Sequence, residues 1–260
     1  MAHADAPRRV VSFNQCADQL VLALADPQQI AGLSPYAARP ELSVMANEAR
    51  AFRQLDWQAE AAIPLKPDLV LIGLWDRAVT RRMLTRLGFR AVPVEIVSDL
   101  AAARAQIGAV AELLGHPERG VALVARLDAA AARLAAIRRP ELKTALVIER
   151  GGYVSGAQSL PAALIAAAGL RLPEGAPARY GSFVPLERLV TLRPDLLFLK
   201  DPPTEPRDQG ALYLTHPVLR ALYPPQRRIA LPTRYTMCGG PALVAALDYL
   251  ADALSRFCAP

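Results

Sequence analysis

Two groups of residues carry the chemistry this chain has to offer. In its first half these are Asn14, Gln15, Cys16, Tyr36, Trp75, Asp76 and Arg77, and in its second half Arg150, Tyr153, Tyr180, Phe183, Arg234, Tyr235, Met237 and Cys238. Aromatic faces stack on flat rings, and guanidinium groups pair with carboxylates in a planar, bidentate fashion. Side by side, the two types suit a flat or bulky organic chelate bearing anionic groups. Trp75 is the strongest single choice, because a Trp that follows a buried strand has an indole N–H in need of a partner.

The cysteines are read separately. Cys16 and Cys238 each stand just before an expected helix, where the dipole favours thiolate. Three fates are open to the pair: ligating a soft metal, bonding to each other, or lining a wall as inert thiols. No C-x-x-C spacing is present, and His3, His116 and His216 are isolated from one another. The sequence therefore implies no metal site and no His-based triad. Ser155, in Gly152-Tyr153-Val154-Ser155-Gly156, is one residue out of place for a nucleophile elbow. Gly151-Gly152 lacks the third glycine and the helix entry of a dinucleotide loop. Neither a catalytic constellation nor a cofactor is implied.

The elements that must position these residues alternate. Short apolar strands are expected at residues 9–13, 30–33, 69–72 and 91–94, with helices at 19–24, 57–63, 77–87 and 100–114. Residues 14–16 read as a polar loop, with Asp18 opening the first helix. The alternation resumes at 144–148, 160–168, 185–190, 196–199, 216–221, 228–231 and 241–257, with a turn at 151–153 and loops at 177–183 and 202–209. Strands alternating with helices mean β-α-β units and mainly parallel sheets. In such sheets ligands bind beyond the carboxyl ends of the strands, and the residues above occupy those ends.

Between the two series lies a helix of about six turns, residues 117–137. Pro117 suits its first turn, and Arg138 and Arg139 suit its negative end before Pro140. Leu123, Leu127 and Leu134 form its apolar stripe. The flanking halves also repeat a phrase: Leu65-Lys66-Pro67-Asp68-Leu69-Val70-Leu71 returns as Leu192-Arg193-Pro194-Asp195-Leu196-Leu197-Phe198. The expected architecture is α/β: two Rossmann-like lobes with mainly parallel sheets, residues 8–115 and 141–260, joined by one long backbone helix in residues 116–140.

Composition narrows the class. Hydrophobic residues make up 53% of the chain and charged residues 21%, as in a folded globular protein. The net charge of +6 comes from scattered arginines, without the basic, aromatic-interleaved strip of a nucleic-acid binder. Ala4-x-Ala6 ahead of the first strand fits the scar of a removed secretory leader.

This order of motifs resembles the helical-backbone (class III) periplasmic substrate-binding proteins that serve ATP-driven importers for iron-siderophores, haem and cobalamin. The matching residues are Arg9-Val10-Val11-Ser12, Leu33-Ser34-Pro35-Tyr36, Lys66-Pro67-Asp68-Leu69-Val70, its twin Arg193-Pro194-Asp195-Leu196-Leu197, and Gly169-Leu170. The resemblance implies a periplasmic, monomeric protein that holds a metal chelate in an interlobe cleft, iron-siderophore first and haem or a corrinoid next. It implies delivery to an inner-membrane ABC permease dimer and no catalysis. Members dock through an acid on each lobe. Glu187 falls where the second lobe's glutamate belongs; in the first lobe Asp76 is the nearest acid, a departure from the family pattern. The competing class is a two-lobed Rossmann-like enzyme such as a nucleotide-sugar transferase, which calls for a glycine-rich phosphate loop that this chain lacks.

Overall fold

A computed structural model describes residues 6–73, 78–137, 139–201 and 208–256. The chain divides into two compact units: one holds residues 1–128 with 237–244, the other residues 129–236 with 245–260.

In the first unit the elements run β1 (Val10–Ser12), α1 (Gln15–Leu24), β2 (Ile30–Gly32), α2 (Ala46–Ala49), β3 (Leu69–Gly73), α3 (Ala78–Arg86), β4 (Ala91–Val94) and α4 (Leu100–Leu114). The strands form one sheet in the order β2-β1-β3-β4, and every pairing is parallel. All five residues of β3 are buried, as a strand covered on both faces requires. Val11, Phe13, Val70, Ile72 and Leu84 pack together in one core on this sheet.

Helix α1 starts four residues before the expected 19. Asn14 is extended, and its side chain accepts from the amides of Cys16 and Ala17, so the helix is capped there and Gln15 and Cys16 join its first turn. Asp18, expected to open the helix, is instead fully buried and accepts from the Ser34 amide and hydroxyl at 3.0 and 2.5 Å. The helix expected at 57–63 is a 3-10 segment, Ala59–Leu65; in an α-helix the ring of Pro64 within it would clash with the Glu60 carbonyl. At α4 the expectation holds at both ends, with Asp99 accepting from Ala102 and Gly115 at φ 84°.

Helix α5 (Pro117–Ala135) leads from the first unit into the second. It ends two residues short of 137, and Leu123, Leu127, Ala130 and Leu134 are its buried stripe. The second unit continues with β5 (Ala145–Ile148), β6 (Tyr153–Ser155), α6 (Leu160–Ala167), β7 (Gly181–Phe183), α7 (Leu186–Leu192), β8 (Leu196–Leu199), α8 (Gln209–Thr215), α9 (Pro217–Leu222), β9 (Arg228–Ala230) and α10 (Pro241–Ser255). Like α5, α10 is shared, its first residues belonging to the first unit. The sheet order is β7-β6-β5-β8-β9: β5, β8 and β9 are parallel, whereas β6 and β7 are antiparallel additions.

Two expectations need correction here: the loop at 177–183 contains β7, and the turn at 151–153 gives up Tyr153 to β6. The loop expected at 202–209 lies outside the described residues as far as 207, and Gln209 already belongs to α8. Each strand is only three residues long, Tyr-Val-Ser and Gly-Ser-Phe, too short for a period-2 pattern to show. Gly151 and Gly152, at φ 69° and 81°, turn the chain back from β5 into β6.

The repeated phrase folds the same way in both units. Lys66 and Arg193 end their helical segments in left-handed conformation, at φ 44° and 42°. A proline follows, and then an aspartate that ties down the strand next door. Asp68 accepts from the amides of Arg8 and Arg9 at 2.7 and 3.0 Å, just ahead of β1. Asp195 accepts from the amides of Lys143 and Thr144 and from the Thr144 hydroxyl, all at 2.9–3.0 Å, just ahead of β5. Burial pushes the Asp195 carboxyl up, but these hydrogen bonds and the Arg227 charge outweigh it and hold the group below the usual carboxylate range. Each aspartate thus fixes the amino end of a sheet.

Candidate functional site

The carboxyl ends of the parallel strands in the first unit carry a cavity of about 290 Å³, lined by Asn14, Cys16, Gly73, residues 94–97, Gln106, Met237 and Gly239. Asn14 and Cys16 reach it because the Asn14 cap places them at the start of α1, directly after β1. Met237, 47% exposed, forms part of the wall. Cys238 is buried and bonded to Cys16, with Cα atoms 5.1 Å apart. Of the three fates open to these cysteines the structure shows the disulfide, so neither supplies a thiolate or a soft-metal ligand. Gln15 turns elsewhere: its Nε2 donates to the Leu42 carbonyl at 2.7 Å.

Tyr36, just beyond β2, is half-buried against the edge of Trp57, their ring centroids 4.9 Å apart, and the Arg39 guanidinium lies 5.0 Å from its ring. Trp75, Asp76 and Arg77 lie outside the described residues. Residues 94–97 at the end of β4, Gln106 and Arg39 were not in the expected set. Applying the strand-end rule to β4 as well as to β1–β3 would have found the first of these.

In the second unit, β6 runs back from the carboxyl end of β5, and Tyr153 pairs in register with Phe183 at the end of β7. Both rings therefore lie at the carboxyl end of β5, edge to face at 5.4 Å, and Phe183 is 73% exposed. Tyr180, also exposed, precedes β7 and so stands at the opposite end of that strand. The Arg150 guanidinium donates to Asp208 at 2.5 Å, and that bond is the main reason the Asp208 carboxyl lies below the usual range. Lys200 and Glu149, beyond β8 and β5, pair at 2.9 Å.

Beyond β9, Arg234 stacks over Tyr235 at 5.0 Å, and Tyr235 in turn stacks on Tyr249 at 5.0 Å. The Tyr249 hydroxyl donates to the Ala230 carbonyl, and burial raises its pKa. Asp201 accepts from the Thr233 amide and hydroxyl, which ties the loops after β8 and β9 together. Glu187 is exposed in the first turn of α7. Its charge, after burial, is what helps push the Tyr213 phenol up to about 12. Among the described residues, no three of His, Cys, Asp and Glu come together as a metal site.

The arrangement can stack a planar group and pair with anions. In each unit an arginine lies over an aromatic ring at the strand ends: Arg39 on Tyr36 in the first and Arg234 on Tyr235 in the second.

No curated protein matches the chain. Solved structures do, at identities that establish the fold alone. A periplasmic haem-binding protein from Pseudomonas aeruginosa is 22% identical with a TM-score of 0.75, covering 98% of this chain and 95% of its own. An Fe3+-hydroxamate transport system protein from Saccharomonospora viridis is 21% identical with a TM-score of 0.71, covering 96% and 94%. The periplasmic vitamin B12 binding protein of Vibrio cholerae is 15% identical with a TM-score of 0.67, covering 96% and 97%. A sequence family described as periplasmic binding protein matches residues 10–212, most of the chain, and with this two-unit α/β fold the chain belongs to that family.

Proposed function

We propose that this protein is an extracytoplasmic binding protein that captures a metal chelate and delivers it to an ABC importer in the inner membrane. An iron-siderophore is the first choice, with haem or a corrinoid next. The observation that carries this reading is the pairing of an arginine with an aromatic ring at the strand ends of each unit, Tyr36 with Arg39 and Tyr235 with Arg234, beside the Tyr153–Phe183 ring pair. Rings hold the organic face of a chelate, and guanidinium groups hold its carboxylates. Asn14, Cys16 and Met237, with the Cys16–Cys238 disulfide behind them, supply a further wall, and Trp75 and Arg77 complete the proposed ligand-binding set, from which Gln15 and Tyr180 drop out. Glu187 is the proposed docking acid of the second unit, with Asp76 its counterpart in the first. The protein acts as a monomer, and the family match favours binding over the nucleotide-sugar transferase reading.

Native mass spectrometry and absorption spectra of protein purified from its own host test the proposal. They are followed by fluorescence titration with a ferric trihydroxamate, a ferric catecholate, haemin and cobalamin. A coloured metal-bearing adduct, or binding of one of the four at micromolar concentration or tighter, is expected. Failure of all four, or turnover of a nucleotide sugar, refutes it.

A further inference from the structure

The cations that follow β5 and β8 in the second unit are each matched by a carboxylate. Lys200, just past β8, pairs with Glu149, just past β5, at 2.9 Å, and both side chains are partly buried. Arg150, the residue after Glu149, pairs with Asp208 at 2.5 Å, and this second pair is half exposed. An ion pair so open to water contributes little to folding. It does decide what charge the solvent-facing end of β5 presents.

Asp208 is held in place independently of Arg150. It caps α8: its Oδ1 accepts from the Ala211 amide at 2.9 Å, while its Oδ2 accepts from the Arg150 guanidinium. Gly210 lets the start of α8 close on this corner. A Cβ there would stand 3.5 Å from the Gly151 nitrogen and 3.6 Å from Arg150 Nη2, and a Cβ on Gly151 would stand 3.6 Å from the Phe183 ring. The exposed Phe183 ring, its partner Tyr153, Arg150 and Asp208 therefore share one corner of the second unit. Glu187 lies near enough to Tyr213, on the same helix as the cap, for its charge to be felt there. Whatever stacks on the Phe183 ring meets a guanidinium whose charge is already offset.

We infer that Asp208 is a specificity-determining residue: by holding Arg150 it fits this corner to a chelate without net charge and disfavours polyanions. The inference rests on the chelate reading above and narrows its substrate class. Among iron chelates it selects those in which three singly charged hydroxamates balance Fe3+. A triscatecholate leaves the same ion inside a trianion, which meets the Asp208 and Glu187 carboxylates while Arg150 is already engaged.

Fluorescence titration with two probes tests it: an uncharged ferric trihydroxamate and a ferric triscatecholate trianion. Wild type is expected to bind the trihydroxamate at least about threefold tighter at about 50 mM salt. Asp208→Asn, which keeps an equally good cap on α8, is expected to narrow that ratio at least about twofold by tightening trianion binding, and to do so less at about 500 mM salt. Arg150→Gln, which leaves the Asp208 charge unopposed, is expected to widen the ratio by a similar factor. A smaller preference in wild type overturns the inference alone. So does a smaller change in either variant, or a narrowing that added salt does not reduce. Failure of both probes also overturns it, and the chelate reading falls with it only if haemin and cobalamin fail as well.

Discussion

Replacing Cys16 and Cys238 together with serine removes a cross-link between residues 222 apart in sequence. In the chain-entropy account, a loop of that length restricts the unfolded ensemble by ~5 kcal/mol, while measured disulfides more often give about 2–4 kcal/mol. A loss of roughly 2–5 kcal/mol is therefore expected, and its location follows from the fold. Both cysteines belong to the first unit, where the bond holds residues 237–244, the start of α10, against the first turn of α1. Both tryptophans, Trp57 and Trp75, also fall in the first unit's stretch of sequence, so urea unfolding followed by tryptophan fluorescence reports on that unit. With a urea m-value of about 3 kcal/mol/M, the midpoint moves down by roughly 0.7–1.7 M. The same shift is expected for the unaltered protein under a reducing agent, and reduction should add nothing to the double variant. Coincident midpoints for oxidised, reduced and double-serine protein would refute the reasoning, because the cross-link would then constrain nothing the folded unit uses.

Asp195→Ala strands the amides of Lys143 and Thr144 at the root of β5 and is expected to cost about 2 kcal/mol by thermal or urea unfolding. The Asp195 pKa is lowered in the folded state, so its contribution is complete above about pH 4, the unfolded value, and fades as pH falls through the folded one. The stability gap between wild type and Asp195→Asn should therefore narrow on acidification. Gly152→Ala puts a Cβ 2.5 Å from the Tyr213 ring at φ 81°, and a loss of about 2–4 kcal/mol is expected. Gly169→Ala, at φ 74° but in open space, should cost only about 1 kcal/mol, and equal effects would show the crowding is not felt. Phe183→Ala removes a ring that is 73% exposed and should weaken chelate binding while shifting the melting temperature by less than about 2 °C. A large drop in melting temperature would assign the ring to packing.

The parts of this fold legible in the sequence are those where local chemistry and long-range packing agree. Asp99 and Gly115 mark both ends of α4 because capping is decided within one turn. The doubled basic-Pro-Asp phrase announced two similar halves, since a left-handed residue, a proline and an acceptor do one job at two places. What stayed hidden depends on partners far along the chain. Residues 153–155 and 181–183 are too short to show a pattern of their own, and are made strands by the register of β6 with β5 and of β7 with β6. The link between Cys16 and Cys238 is written in no spacing, because nothing local brings residues 222 apart together. The candidate site was read from strand ends alone, a rule that finds Tyr36, Tyr153 and Tyr235 but not which way a side chain turns. Gln15 reaches back to Leu42, and Tyr180 stands at the far end of its strand from Phe183.

That division suggests how the molecule keeps holding itself together apart from holding a ligand. At the amino ends of the sheets the polar groups are already committed: Asp68 to Arg8 and Arg9, Asp195 to Lys143 and Thr144. At the carboxyl ends, exposed rings such as Phe183 and Tyr36's partner Arg39 are little used by the core. Substitutions at the two ends should therefore act on different observables. Asp195→Ala should lower stability and leave the affinity of the folded protein as it was, whereas Phe183→Ala should do the reverse. Because the two sites share no partner, the double variant should show both effects in full, additive to within about 0.5 kcal/mol. Coupling larger than that would mean that the sheet transmits the loosening of its amino end to the loops at the other, and that grip and framework are one system.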